Sequence, residues 1–250
     1  MNVVEVDSYN EMSRKASELI VKKIKENTSS VLGLATGGTV IRVYQMLIKD
    51  HLVNGTSYRE VNTINLDEYV GLGSSDSNSY RYYMNENLFT HLDIPQEQSH
   101  LPNGMATNRK EECVKYEELI GELGGVDLQL LGIGENGHIG FNEPGTSFRS
   151  KTHVVKLMES TRKANARYFS SLDSVPTHAV TMGIDTIFRS KQILLLASGM
   201  KKAAAIDWLL NGEVSEDLPA SILKKHNRVT VIADKDALSL SKVSGITFTK

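Results

Sequence analysis

A histidine and a carboxylate share one glycine-rich stretch, 132-GIGENGHIGFNEPG-145, where His138 and Glu143 stand with Asn136 close by. An imidazole titrates near neutral pH. A carboxylate beside it can orient one ring nitrogen and raise the basicity of the other. That pairing suits general acid–base work. Asn136 cannot titrate, so it can orient a group by hydrogen bonding but cannot be a base. A lone histidine is more often structural. One that shares a loop with a carboxylate, after the apolar run 127-DLQLLGI-133, is a stronger candidate.

Two other chemistries fit parts of the same stretch. Gly132-x-Gly134-x-x-Gly137 spells a dinucleotide-binding turn, and Glu159 stands where an acidic ribose partner would be sought. That reading needs a helix to begin at the third glycine, facing the pyrophosphate. Gly140, Pro144 and Gly145 prevent a stable helix there, and the loop lies mid-chain instead of after the first strand. Glu135-x-x-His138 has the spacing of a helical metal-ligand pair, but it falls in a turn, and no cysteine or second close histidine completes a ligand set. Neither a nucleotide cofactor nor a metal is expected. Cys113 reads as an ordinary helix residue, since no base is placed beside it.

Alternating helical and strand-like segments must position these groups. Ser8-x-x-Glu11 spells a capping box before a helix running to about residue 25. Strands are expected at 31–35, 61–66, 127–133, 152–157, 178–182, 192–198 and 228–233. Helices are expected at 40–50, 78–89, 107–122, 160–171, 183–189 and 201–211. Short apolar strands alternating with helices predict one α/β domain over residues 1–250, a Rossmann-like, doubly wound and largely parallel sheet with helices on both faces. Ligands bind beyond the carboxyl ends of such strands. Four polar or small-residue segments fall there: 36-TGGT-39, 67-DEY-69, the loop 134–147 and 198-SGMKK-202.

Composition narrows the class. The chain has 250 residues, 40% apolar and 23% charged, with a net charge of -2. No basic field invites nucleic acid. No apolar run approaches the roughly 18–20 residues needed to span a bilayer, and the first residues lack a basic-then-apolar signal pattern. A single cysteine excludes an internal disulfide framework and points to a reducing, cytoplasmic compartment. No linker or internal repeat divides the chain.

The loop 132-GIGENGHIGFNEPG-145, with 65-NLDEYVGL-72 and the turn 36-TGGT-39, resembles the glucosamine-6-phosphate deaminase family. The likeness continues in order through 161-TRKANARYF-169, 181-TMGIDTI-187 and 199-GMKKA-203, and so covers essentially the whole chain. It implies conversion of D-glucosamine 6-phosphate to D-fructose 6-phosphate and ammonia, hydrolysis at a C–N bond within amino-sugar (N-acetylglucosamine, sialic acid) catabolism, with no cofactor and no catalytic metal. It carries catalytic positions onto Asp67, Asn136, His138 and Glu143. Many members have Asp where Asn136 stands, a difference between subfamilies.

The implied chemistry suits these residues. His138, oriented by Glu143 and Asn136, would open the sugar ring. Asp67 would move the proton from C2 to C1, which requires burial to raise a carboxyl from its usual pKa of about 3.9. Without the resemblance, Asp67 would equally suit a helix cap or turn, and Glu68 beside it reads as structural. For the phosphate, the turn Thr36-Gly37-Gly38-Thr39 precedes a helix and can offer backbone N–H groups. Arg167 and Lys202 match the family's basic positions, whereas Lys163 and Lys201 read as surface charges. Thr146 and Ser147 are further hydroxyl candidates.

Some members are hexamers regulated by N-acetylglucosamine 6-phosphate through basic residues just after the catalytic loop. Here His153 and Val155 fall near those positions, so that regulation is not expected, and a monomer or a homo-oligomer is compatible with the sequence. The alternatives are 6-phosphogluconolactonase, which shares the fold; a sugar-phosphate sensor, which would normally carry a DNA-binding segment; and the nucleotide-dependent oxidoreductase of the glycine spacing.

Overall fold

The computed structural model describes residues 1–166 and 169–241. Its central sheet has seven strands, all parallel, in the order β1 (Asn2–Val6), β10 (Val229–Asp234), β9 (Ile193–Ala197), β6 (Leu128–Gly132), β2 (Val31–Leu34), β3 (Asn62–Asn65), β5 (Ser99–His100). All five residues of β9 are buried. That follows from its central place, with layers on both faces, and explains why 192-QILLLAS-198 shows no polar alternation.

The helices α1 (Tyr9–Glu26), α2 (Ile41–Asn54), α3 (Tyr80–Asn87), α4 (Arg109–Glu122), α5 (Glu159–Asn165), α6 (Ile184–Phe188) and α7 (Ala203–Asn211) surround this sheet. The start of α1 is fixed as the sequence predicts. Ser8 Oγ accepts the Glu11 N–H at 3.3 Å, and the Glu11 carboxylate reaches back to the Asp7 N–H at 2.9 Å. β5 and the amino-terminal β1 have no counterpart among the expected strands. β1 is an edge strand whose first residue, Asn2, is exposed, and β5 is only two residues long.

A second sheet adds to the expected architecture. β4 (Asp67–Tyr69), β8 (His178–Thr181) and β7 (His153–Lys156) pair antiparallel, with Asp67 opposite Thr181 and Tyr69 opposite Ala179. The segments at 152–157 and 178–182 are therefore strands, but not of the parallel sheet. Leu66 is the hinge between the two sheets. Its N–H donates to Leu34 O on the parallel side at 3.2 Å, and its carbonyl accepts the Met182 N–H at 2.7 Å on the antiparallel side. Asp67 is the first residue past that hinge.

α5 ends at Asn165, short of the helix expected over 160–171. The Arg162 guanidinium donates to the carbonyls of Leu172 and Val175, both at 2.9 Å, and binds the returning chain back against the helix.

Candidate active site

Strand order reverses between β2 and β6, because the chain builds outward to β5 before returning beside β2. The loops after these two strands diverge and leave a crevice at their carboxyl ends. A cleft of ≈ 570 Å³ opens there, lined by the 36–39 turn, Asp67, the loop from Gly132 to Phe141, residues of α5, and Lys202. A second cleft, of ≈ 690 Å³, lies at the amino-terminal ends of β1, β10, β9 and β6 beside Lys22, Lys23 and Arg228, and no histidine lines it.

The loop after β6 stays irregular. Turns and one isolated bridge, Ile139 with Asn142, occupy it, and no helix begins at Gly137. The glycines instead permit close approach. A Cβ on Gly134 would lie 2.3 Å from the His138 ring, and one on Gly140 would lie 3.1 Å from Thr181 Oγ1, with the Asp67 carboxylate at 3.5 Å. The backbone thus folds against its own catalytic candidate on one side and against the first residue of β4 on the other.

Glu143, Asn136 and His138 form a chain of hydrogen bonds. The Asn136 amide donates to Glu143 Oε2 at 2.7 Å, and Asn136 Oδ1 lies 2.7 Å from His138 Nδ1. Thr161 on α5 donates to the other carboxylate oxygen. Burial works to raise the Glu143 pKa, but the nearby His138 ring and the hydrogen bonds from Thr161 and Asn136 outweigh it and bring the pKa to about 2. Glu143 is therefore ionised at neutral pH and can only accept, which turns the Asn136 NH₂ toward it and the Asn136 oxygen toward the ring. An oxygen at that position requires the proton on His138 Nδ1. In the neutral imidazole that tautomer puts the lone pair on Nε2. Glu143 Oε2 stands 3.6 Å from Nδ1, so the amide, not the carboxylate, makes the close contact with the ring.

Asp67 lies across the same cleft and is buried, with 6% of its surface exposed. Burial first, and the neighbouring Glu68 charge second, push its pKa up to about 8. Glu68 points the other way, as alternate strand residues must. Its carboxylate accepts the N–H groups of Tyr69, Tyr80 and Arg81 at 2.8 to 2.9 Å, which ties β4 to the start of α3. Glu68 is structural.

The carbonyls of the 36–39 turn are held by two tyrosines. Tyr83 OH donates to Gly37 O at 2.9 Å and Tyr9 OH to Gly38 O at 2.8 Å. In a trans peptide the N–H opposes the C=O, so the N–H groups of Gly38 and Thr39 are turned away from those tyrosines. α2 starts just beyond with no side-chain cap. Of its first-turn N–H groups, that of Arg42 donates to Tyr9 OH at 3.3 Å, and the helix start adds a positive field at the same end. Lys202 lines the cleft, and burial lowers its pKa. Lys201, read from the sequence as a surface charge, also lines the cleft, exposed and 4.0 Å from Glu135, whereas Lys163 pairs with Glu159 on the surface. Arg167 lies outside the described residues.

Thr146 and Ser147 do not line the cleft. Thr146 Oγ1 donates to Glu143 O at 2.7 Å and Ser147 Oγ accepts the Arg149 N–H, so both serve the turn. Among the described residues no group of three or more His, Cys, Asp or Glu side chains could hold a metal ion. Cys113 is a buried free thiol on α4, away from the cleft.

Sequence reasoning did not single out Thr161, Asn165 or Tyr80, which also line the cleft. Asn165 Nδ2 donates to Tyr69 OH at 2.9 Å, which links α5 to β4. Only the run 161-TRKANARYF-169 hinted at two of them, and it gives no roles.

Residues 5–232 match the family described as glucosamine-6-phosphate isomerases/6-phosphogluconolactonase. The chain belongs to that family. It is 58% identical to a glucosamine-6-phosphate deaminase of Geobacillus sp. over 96% of both chains. It is 54% identical to glucosamine-6-phosphate deaminase 1 of Bacillus subtilis, over 96% of this chain and 99% of that one. A solved structure described as a monomeric glucosamine-6-phosphate deaminase superposes with a TM-score of 0.94 at 54% identity, covering 96% of this chain and all (100%) of that one. A 6-phosphogluconolactonase from Trypanosoma cruzi superposes with a TM-score of 0.79 at 20% identity, a likeness of fold alone.

Proposed function

We propose that the protein converts D-glucosamine 6-phosphate and water to D-fructose 6-phosphate and ammonia, within amino-sugar breakdown, using only its own side chains. The observation that carries this reading is the pairing of a buried carboxyl whose pKa is raised to about 8 with a hydrogen-bonded Glu143–Asn136–His138 chain across one cleft. Separated pKa values of this kind assign a reluctant acid and an oriented base to different steps.

The phosphate is held by the N–H groups of the Thr36-Gly37-Gly38-Thr39 turn and by Lys202, with Arg167 as a further cation. Nε2 of His138 takes the proton of the anomeric hydroxyl and delivers it to the ring oxygen, which opens the sugar. The resulting aldehyde acidifies the C2 proton. Asp67, once ionised, removes that proton and returns one to C1. The product is an imine at C2. Water adds there, ammonia leaves, and the ketose remains. A base with a pKa near the working pH combines an accessible ionised form with real proton affinity.

The same reading takes residues 1–250 as one catalytic unit in the cytoplasm, acting without N-acetylglucosamine 6-phosphate as effector. It takes the protein as a monomer, supported by its 54% identity to a deaminase described as monomeric. Light scattering should then give a mass near 27.6 kDa with or without that effector, and a multiple of it would refute the monomer. The chemistry is tested by incubating the protein with glucosamine 6-phosphate and measuring ammonia and fructose 6-phosphate together. Equal release of both, lost in Asp67→Asn, supports the proposal. No ammonia, with hydrolysis of a sugar-phosphate lactone instead, would replace it with the family's other reaction.

A further inference from the structure

The segment that delivers Lys202 to the cleft is held by one carboxylate outside the cleft. β9 ends at Ala197, and the chain turns through Ser198 and Gly199 into a single 3₁₀ turn, Met200–Lys202, before α7 begins. Gly199 has φ 88°, in the region that favours glycine. Ala233 of β10 pairs with Ala197 of β9, so Asp234, the next residue, stands beside Ser198.

The Asp234 side chain uses that position fully. Its Oδ2 accepts the Ser198 hydroxyl at 2.5 Å, its Oδ1 accepts the Gly199 N–H at 3.0 Å, and Oδ1 also accepts the Ala237 N–H at 2.9 Å. Gly199 then passes the constraint on, since its carbonyl accepts the Lys202 N–H at 3.0 Å. Asp234 is 6% exposed and does not line the cleft, whereas Lys202 does. Its negative charge is taken up by these donors. A flexible lysine is a weak selector unless its backbone is fixed.

We propose that Asp234 is a positioning residue that sets the affinity for the substrate phosphate by fixing the Ser198–Lys202 turn and hence the ammonium of Lys202. The inference rests on the reading of Lys202 as a phosphate ligand.

The test uses the full chain and inorganic phosphate as the probe, with calorimetric affinities for Asp234→Ala, Asp234→Asn, Lys202→Ala and the Asp234→Ala/Lys202→Ala pair. Asp234→Ala is expected to weaken phosphate binding and raise the KM for glucosamine 6-phosphate by about tenfold, with kcat within about threefold of the parent. Asp234→Asn keeps an acceptor for Gly199 and should fall between. The double variant should bind no more weakly than Lys202→Ala alone, because coupled residues are not additive. Ser198→Ala, which removes one donor, takes the place of Asp234→Ala if the latter fails to fold.

A folded Asp234 variant with parental phosphate affinity, or additive losses in the double variant, would overturn the inference. So would a lower melting temperature as the only change. Parental affinity in Lys202→Ala would overturn both this inference and the phosphate role of Lys202. Coupled binding losses in a protein that releases no ammonia would support the inference while sinking the deaminase reading.

Discussion

Asp67 works against the stability of the protein that contains it. With a folded pKa of about 8 against 3.8 for a free aspartate side chain, it keeps its proton in the folded chain where the unfolded chain has already lost it. Below pH 3.8 both states are protonated and the group has no effect. Between the two pKa values stability falls by about 1.4 kcal/mol per pH unit, and above the folded value the loss is complete. Asp67→Asn should therefore be more stable than the parent at pH 8, by on the order of a few kcal/mol, with the gain shrinking toward pH 4 in urea melts. The same variant should lose roughly 10²–10⁴-fold in turnover, as expected for removal of a general base. In the parent, kcat/KM should rise with pH and level off above about 8. A flat profile would show that Asp67 is not the base. Glu143 has the opposite sign. Its folded pKa of about 2 lies below 4.5, so its contribution is present above pH 4.5 and is lost as pH falls through the folded value. Glu143→Gln should cost up to about 3 kcal/mol at neutral pH and nothing near pH 2. It should also lower turnover, because a glutamine amide no longer dictates which way Asn136 faces.

At the scale of elements, the site depends on parts that meet only in three dimensions. β4 supplies Asp67, the loop after β6 supplies the imidazole, and α5 supplies the hydroxyl that holds Glu143. Thr161→Val preserves shape but leaves Glu143 Oε1 without its donor. It should reduce kcat about tenfold with little change in KM, and Thr161→Ser should restore it, since a serine hydroxyl can make the same bond. Equal activity in Thr161→Val would show that α5 merely covers the site. Unchanged circular dichroism would verify that α5 is intact. The two sheets are joined through Leu66, whose N–H serves one and whose carbonyl serves the other. That arrangement aims Asp67 into the crevice of the parallel sheet while its own strand pairs with β8.

Across the whole molecule, ligand binding is linked to folding. A sugar phosphate that binds only the folded chain at about a hundred times its Kd stabilises it by about 2.7 kcal/mol. For a chain of this length that corresponds to a rise in melting temperature of roughly 5–10 °C. Inorganic phosphate at a matched multiple of its own Kd should give a similar rise, and the rise at a fixed phosphate concentration should shrink in Lys202→Ala. An unchanged rise there would move the anion site away from Lys202.

The sequence by itself determined the alternation of strands and helices, the parallel central sheet and the crevice after its strands, because periodicity and capping are local. It also brought together His138, Glu143 and Asn136, which share one loop, and ruled out a helix at Gly137 through Gly140, Pro144 and Gly145. The tertiary structure alone decided that 152–157 and 178–182 leave the main sheet, since strands of either sheet carry the same apolar pattern. The roles of Asp67 and Glu68 were already told apart by the resemblance, but only the tertiary structure set their environments, because burial and partner donors, not residue type, set a carboxyl's pKa. Asp234 and Thr161 were illegible for the same reason. Each acts on a residue distant in the chain, and no spacing in the sequence encodes a hydrogen bond between separate elements.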